Sequence, residues 1–289
     1  MNMIIVADSS CDVNKEIMDS INIKEIEDKI NDTLSIDLVP FKIYVDGTEF
    51  VDDKNLDRDK LIKFMHDSPN PIRTSCPSPG EFLESFMKST TSFAITISKE
   101  LSGAYNSAVT AKNIALEQKN KFIHIFNSKS ASTGEVLIFL KLIEEIKKGI
   151  SNNEIVNNVE QYISDMKTYF ISEDLGNLIK NGRISKINGL IANILNVKLI
   201  MKSNELGEIE LAEKVRGSSK VFNRLAEIIE STNVNFSERI AVISHANAIE
   251  KALGLKAKIE KLRFKDIIIV ETNGLSTSYV NDGGVIISF

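Results

Sequence analysis

Two short loops carry small hydroxyl side chains just before runs with helical periodicity. The first holds Thr74 and Ser75, and the second holds Ser102 and Gly103. Backbone N–H groups at the start of a helix lack partners, and the helix dipole favours negative charge there. Two such loops together predict a site for a small anion, such as a carboxylate or a phosphate. Ordinary helix capping explains either loop alone, because Ser and Thr are common N-cap residues.

Arg183 is the cation that the sequence offers for the same anion. Asn181 and Gly182 precede it and form a typical signal for the end of a helix. An arginine held directly after a helix can reach into a cleft, where its planar guanidinium suits a carboxylate or a phosphate. A solvated arginine beside a helix C-terminus explains the pattern equally well. His245 is a weaker candidate, because capping of the next helix accounts for it.

The composition restricts the class of protein. Of the 289 residues, 43% are hydrophobic and 26% are charged, as in globular proteins. The net charge of −5 argues against non-specific binding of nucleic acid, and two cysteines suit a reducing compartment. No stretch has the form of a signal peptide or the length of a membrane span. We therefore expect a cytoplasmic protein without stable membrane insertion.

Several common catalytic motifs are missing from the sequence. It contains no G-x-x-x-x-G-K-[ST], no G-x-G-x-x-G and no G-x-S-x-G. Nucleotide-phosphate loops and a hydrolase nucleophile elbow therefore lack support. The 3 histidines are isolated and do not have the spacing of a metal site. The sequence predicts neither a metal nor a cofactor.

The first half alternates strands with helices, which predicts a parallel sheet. Strands are expected near 3–7, 38–45, 48–51, 93–97 and 122–126, with a helix at 57–65 and amphipathic helices at 103–118 and 132–148. Ligands of such sheets bind at the carboxyl ends of the strands. Hydroxyl-rich segments follow three of these strands, at 8–10, 98–102 and 127–130, and we expect them to meet there. Thr74 follows no clear strand.

The second half has a different pattern. Strands are predicted at 168–172, 197–202, 208–212, 239–244, 266–270 and 285–288, and helices at 174–180, 218–230 and 248–262. A hairpin turn at 204–207 indicates a sheet that is at least partly antiparallel. The predicted fold class is therefore α/β, with an N-terminal Rossmann-like domain on a parallel sheet and a C-terminal α/β domain with a mixed or antiparallel sheet. We expect these domains at residues 1–166 and 167–289.

Taken together, the motifs resemble those of the DegV family of fatty-acid-binding proteins. The resemblance covers essentially the whole chain and rests on six motifs in family order, at 8–12, 45–50, 74–79, 101–105, 127–130 and 181–185. It implies two α/β domains with one long-chain fatty acid between them. In some members the protein presents the acyl carboxylate to a fatty-acid kinase and then carries the acyl phosphate.

The resemblance also implies roles for individual residues. Thr74 and Ser102 correspond to the hydroxyls that bind the carboxylate, Ser75 and Gly103 assist through the loop backbone, and Arg183 lies near the head group. Two positions depart from the family pattern. Cys76 stands where members usually carry Gln, and the C-terminal His-x-Gly-Pro-Gly is missing. At that place we assign Thr272 to the position of the His, which predicts carboxylate binding but poor handling of an acyl phosphate.

Three functions remain open at this point. The leading hypothesis is a non-catalytic protein that binds and presents a long-chain fatty acid, with a fatty-acid kinase as a partner. The second is an enzyme, a hydrolase or phosphotransferase with Ser102 as nucleophile, although no histidine lies near these loops in sequence. The third is an interaction module that senses lipid. A co-purifying acyl chain would favour the first hypothesis, and turnover of an ester would favour the second.

Overall fold

The computed structural model describes residues 2–184, 197–217 and 220–289. Ser185, which ends the motif at 181–185, and Ser218, which begins the predicted helix 218–230, lie outside the described residues. None of the helices within those ranges is both long and apolar enough to cross a membrane.

The first sheet has four parallel strands in the order β2-β1-β6-β7. Its strands are β1 (Asn2–Asp8), β2 (Thr33–Val39), β6 (Thr91–Thr96) and β7 (Phe122–Asn127). This confirms the parallel N-terminal sheet. The predicted strand at 38–45 is wrong as a single element, because the chain leaves the first sheet at Val39, before Pro40. Pro40 has no N–H to donate, and the pairing of this edge strand with β1 ends at Val39.

A small antiparallel sheet follows, in the order β4-β3-β5. It consists of β3 (Lys42–Val45), β4 (Thr48–Val51) and β5 (Arg73–Ser75). Asp46 and Gly47 have φ values of 47° and 81° and make the predicted tight hairpin. The short strand β5 was not predicted, and it places Thr74 opposite Ile43.

Helices cover the sheets of the first half. They are α1 (Lys15–Ser20), α2 (Ile23–Ile30), α3 (Arg58–Asp67), α4 (Pro79–Met87), α5 (Ala104–Gln118), α6 (Thr133–Lys147) and α7 (Asn152–Asp165). The helix predicted at 132–148 is present, but the prediction that it is amphipathic is wrong, because α6 is buried on almost every face. The hydrophobic core that contains α6 includes Phe93 of β6 on one side and Val242 of the second half on the other.

The second half is built on a six-stranded mixed sheet in the order β10-β9-β8-β13-β11-β12. Its strands are β8 (Thr168–Ile171), β9 (Val197–Ser203), β10 (Ile209–Arg216), β11 (Ile240–His245), β12 (Asp266–Glu271) and β13 (Val285–Ser288). The pair β11–β12 is parallel and the other neighbours are antiparallel, which confirms the predicted mixed sheet. Its helices are α8 (Gly176–Lys180), α9 (Val221–Glu230), α10 (Ile249–Ile259) and α11 (Gly274–Val280). Helix α11 was not predicted.

Candidate functional site

A cavity lies between the two halves of the chain. It contains about 730 Å³ of space not filled by protein atoms, part of it open to solvent. Apolar side chains from both halves form most of its wall, namely Ile97, Leu101, Ala131, Phe170, Leu178, Ile209, Leu275, Val280 and Ile286.

The hydroxyl side chains in this wall are paired with protein groups. Ser130 and Thr168 are hydrogen-bonded to each other at 2.7 Å, and Ser203 donates to the Lys129 carbonyl at 2.6 Å. Ser132 donates to Asp12 and is also bonded to Ser244 at 2.8 Å. Hydroxyls that already have partners give little attraction to a polar ligand and leave their carbon atoms facing the space. The cavity therefore suits an apolar chain better than a sugar or a nucleotide.

Arg183 lines the cavity at the end of α8, and the local sequence explains its position. Gly182 has a φ of 76°, and the N–H of Gly182 donates to the Ile179 carbonyl at 3.0 Å. The N–H of Arg183 donates to the Leu178 carbonyl at 2.9 Å. This pair of bonds is a Schellman motif, and it fixes the backbone from which the arginine side chain projects.

The guanidinium of Arg183 reaches across to the first half. Its Nε donates to the Leu101 carbonyl at 3.0 Å, and its Nη1 donates to the Asn181 carbonyl. Both acceptors are neutral, so these contacts do not cancel the positive charge. Since Leu101 directly precedes Ser102, the structure brings Arg183 next to the second hydroxyl loop.

The Thr74 loop lies beside the Ser102 loop and the turn that carries Arg183. The Thr74 hydroxyl lies 2.8 Å from the hydroxyl of Tyr279, which is on α11 and lines the cavity. A methyl group added to Gly103 would lie 3.3 Å from the Cys76 sulfur, so the two loops touch. The Asn181 amide donates to the Ile72 carbonyl at 3.2 Å, which ties the Arg183 turn to the Thr74 strand. Thr74, Ser102 and Gly103 therefore lie beside the part of the cavity that Arg183 and Tyr279 line, although they do not belong to its wall, and Ser75 is exposed on β5.

Ser102 precedes the 15-residue helix α5, whose N-cap Gly103 provides no side-chain cap. The Ser102 oxygen accepts a hydrogen bond from the Ala104 N–H at 3.2 Å. A hydroxyl that accepts one bond still has a proton to donate, and the helix N-terminus behind it favours an anion. The Ser102 hydroxyl can therefore donate its proton to an anion in front of the helix.

The structure does not bring Thr272 to this group. Its side chain is buried, donates to the His245 carbonyl at 3.2 Å and lies 2.7 Å from the Thr277 hydroxyl. Tyr279, and not Thr272, lies beside the Thr74 loop, where its hydroxyl is 2.8 Å from that of Thr74. Its spacing to Gly283, four residues on, is the spacing of His to the last Gly in His-x-Gly-Pro-Gly, and that signal could have found it. His245 accepts from the Ala248 N–H at 3.3 Å, which is the capping alternative.

Acidic side chains that the sequence analysis did not single out lie buried behind the cavity. Burial raises the pKa of Asp8 and of Asp12 to about 7, and that of Asp52 to about 6. Hydrogen bonds to backbone N–H groups partly offset this effect. The described residues contain no group of three or more His, Cys, Asp and Glu side chains arranged to hold a metal ion.

Comparison with known proteins identifies the family. The sequence profile described as "Uncharacterised protein, DegV family" matches residues 2–289. The chain belongs to the DegV family. A curated DegV domain-containing protein from Streptococcus pneumoniae is 34% identical over 288 residues, which are 99% of this chain and 98% of that protein.

Two solved DegV-family structures are closely similar. A Ruminococcus gnavus protein, refined with vaccenic acid, has a TM-score of 0.91 and 36% identity, with 99% of each chain covered. The Streptococcus pneumoniae fatty acid kinase (Fak) B3 protein, loaded with linoleic acid, has a TM-score of 0.88 and 32% identity. That alignment covers 100% of this chain and 99% of the other. Both relatives therefore carry a fatty acid on the fold described above.

Proposed function

We propose that this DegV protein binds one long-chain fatty acid in the cavity between its two halves. The observation that carries the proposal is a mostly apolar wall that also contains Arg183 and Tyr279, which contact the Leu101 carbonyl beside Ser102 and the Thr74 hydroxyl. An acyl chain fits the first part and a carboxylate fits the second. The fatty acids in the two related structures support the same assignment.

The energetics favour a carrier whose tail provides most of the affinity. Burial of about fourteen methylene groups gives roughly 11 kcal/mol of gross transfer free energy at about 0.8 kcal/mol each. Association and ordering costs remove several kcal/mol of this. The head group must still be satisfied, because a buried carboxylate without partners would be strongly unfavourable.

We assign the head-group contacts as follows. The hydroxyls of Thr74, Ser102 and Tyr279 donate to the carboxylate, and Arg183 supplies the positive charge. The backbone of Ser75 and Gly103 shapes the two loops. Tyr279, and not Thr272, takes the position that the family motif gives to its His, because the Tyr279 hydroxyl reaches Thr74.

We further propose that the protein presents its ligand and does not transform it. A fatty-acid kinase is the proposed partner, the cytoplasm is the proposed compartment, and no further cofactor is needed. We also place the domain boundary between residues 166 and 167, so that the ligand would lie at the junction of residues 1–166 and 167–289.

Native mass spectrometry of the purified protein tests this function. A species heavier by one acyl chain, with the fatty acid recovered by organic extraction, is the expected result. Delipidated protein should take up added palmitate or oleate in a 1:1 ratio. An unliganded spectrum, no uptake of either acid and turnover of an ester substrate would favour the enzyme alternative with Ser102 as nucleophile.

A further inference from the structure

Helix α11 receives its N-terminal cap from the other half of the chain. Its own N-cap residue, Asn273, makes no side-chain capping bond. Asp52 instead accepts from the Gly274 N–H at 2.7 Å and from the Leu275 N–H at 2.9 Å, and Asp12 accepts from the Asn273 N–H at 2.7 Å. Carboxylates at this position satisfy unpaired N–H groups and interact favourably with the helix dipole.

The side chain of Asp52 is buried and closely packed against the start of α11. The Ser9 hydroxyl donates to Asp52 at 2.8 Å, and Asp52 itself is only 5% exposed. A methyl group added to Gly274 would lie 2.7 Å from an Asp52 carboxylate oxygen and 2.4 Å from the side chain of Leu56. Such close packing means that a shift of the carboxylate must shift the start of the helix.

One face of this seven-residue helix lines the cavity from its first turn to its last residue. Leu275, Ser276, Tyr279 and Val280 all belong to its wall. The Tyr279 hydroxyl lies one turn beyond Leu275 and meets Thr74 at 2.8 Å. A change in the helix position of a few tenths of an ångström therefore alters a contact at the proposed head-group site.

We propose that Asp52 is a positioning residue for head-group recognition, acting through α11 to place the Tyr279 hydroxyl beside Thr74, where both hydroxyls can donate to one carboxylate. Asp52 does not line the cavity and does not touch the ligand in this scheme. The inference rests on the proposed function, since it assumes that Tyr279 binds a carboxylate. Asp52 would then determine selectivity for acids over neutral lipids from a position outside the cavity.

The test compares palmitate with hexadecanol, which has the same chain length and no charge, in wild type and in Asp52→Asn. In Asp52→Asn we expect the affinity for palmitate, relative to that for hexadecanol, to fall about tenfold, because a hydrogen bond to a charged acceptor is weakened. The affinity for hexadecanol itself should stay nearly the same. The matched control is Asp53→Asn, the same change at the adjacent exposed residue, which should leave the ratio unchanged. Equal losses for palmitate and hexadecanol would show a merely structural role and overturn the proposal.

A double-mutant cycle with Tyr279→Phe decides whether Asp52 acts through that tyrosine. The double variant should be no less selective than Tyr279→Phe alone, whereas additive losses would overturn the proposal. If Asp52→Asn does not fold, Ser9→Ala provides the same comparison, because it removes the hydroxyl that donates to Asp52, and the hexadecanol measurement accounts for the bond that the Phe41 N–H also loses. An unchanged ratio in Ser9→Ala would then count against the inference. A wild type that binds neither lipid would refute the proposed function instead.

Discussion

The hydroxyl groups of Thr74 and Tyr279 lie 2.8 Å apart, although 205 positions separate them in the sequence. Thr74 belongs to the small sheet of the first half, and Tyr279 belongs to the last helix of the second. Their hydrogen bond joins the two halves at the end of the cavity where Arg183 lies. A carboxylate that enters this end replaces one hydroxyl–hydroxyl bond with bonds from both hydroxyls. We therefore expect this hydrogen bond to open when ligand enters and to form again when ligand leaves.

Thr74→Val and Ser102→Ala should each weaken fatty-acid binding by roughly 1–2 kcal/mol, because each removes one hydrogen bond to a charged acceptor. Isothermal titration with palmitate and with hexadecanol measures the effect, and binding of the alcohol should change little. Thr110→Val is the control, since Thr110 is an exposed hydroxyl on α5 that donates to the Asn106 carbonyl. If both variants lose the alcohol as strongly as the acid, the hydroxyls are structural caps.

Tyr279→His should increase acyl-phosphate formation by a fatty-acid kinase. A protonated imidazole beside Thr74 adds positive charge that a neutral phenol lacks, and an acyl phosphate carries more negative charge than a carboxylate. The comparison is Thr272→His, which should give no gain, because that buried side chain bonds to His245 and Thr277. If acyl-phosphate formation increased in Thr272→His and not in Tyr279→His, residue 272 and not residue 279 would contact the head group.

Gly207→Ala should destabilise the protein by roughly 2 kcal/mol more than Gly217→Ala. The two glycines have nearly the same backbone, with φ values of 91° and 92°, so the conformational strain of an added methyl group is matched. At residue 207 the methyl would lie 2.3 Å from the Ser98 hydroxyl and 2.8 Å from the Lys129 Cα, whereas none of the residues that the structure describes comes within 4 Å at residue 217. Urea denaturation measures both variants. Equal losses would mean that the β9–β10 turn is not tightly packed on the first half.

The free energy of unfolding should fall as the pH rises from about 5 to about 7. Burial raises the pKa of Asp8 and Asp12 to about 7 and that of Asp52 to about 6. The unfolded chain releases these protons near pH 4, so the folded protein holds more protons throughout this interval. Each such carboxyl contributes up to about 1.4 kcal/mol per pH unit. Burial lowers the pKa of His245, so this single group makes the free energy of unfolding rise with pH and offsets part of the fall.

Denaturation curves across this pH interval check the slope, and Asp12→Asn should make it shallower. Asp19→Asn, the same change at an exposed residue of α1, should leave it unchanged. A free energy of unfolding that rises with pH would show that these carboxyls are ionised in the folded state.

The parts of the fold that could be predicted are those specified by local signals. The turn at Asp46 and Gly47, and the helix end before Arg183, depend on residues that tolerate positive φ. The strands of both large sheets have recognisable apolar runs except β2 (Thr33–Val39), where polar residues alternate with apolar ones. The site residues on those loops, Thr74, Ser102 and Arg183, could be named for the same reason, although their roles in binding stay predictions.

Helix α11 could not be predicted because the groups that stabilise it are remote in sequence. Its residues from Leu275 to Ser278 are mostly small hydroxyl side chains with modest helix propensity, and Asn273 does not cap it with its side chain. The carboxylates that cap it, Asp12 and Asp52, lie 261 and 222 positions earlier. Tyr279 was missed together with the helix that carries it.

The burial of α6 between the two large sheets has a consequence for how the protein unfolds. Thr133 at the start of α6 is hydrogen-bonded to Ser288 of β13 at 2.7 Å, and the core around the helix includes Phe93 and Val242, one from each sheet. Neither sheet can lose this helix and keep its hydrophobic face covered. Heating should therefore melt both halves in a single cooperative transition. A fatty acid would raise the midpoint of that one transition and would not separate two.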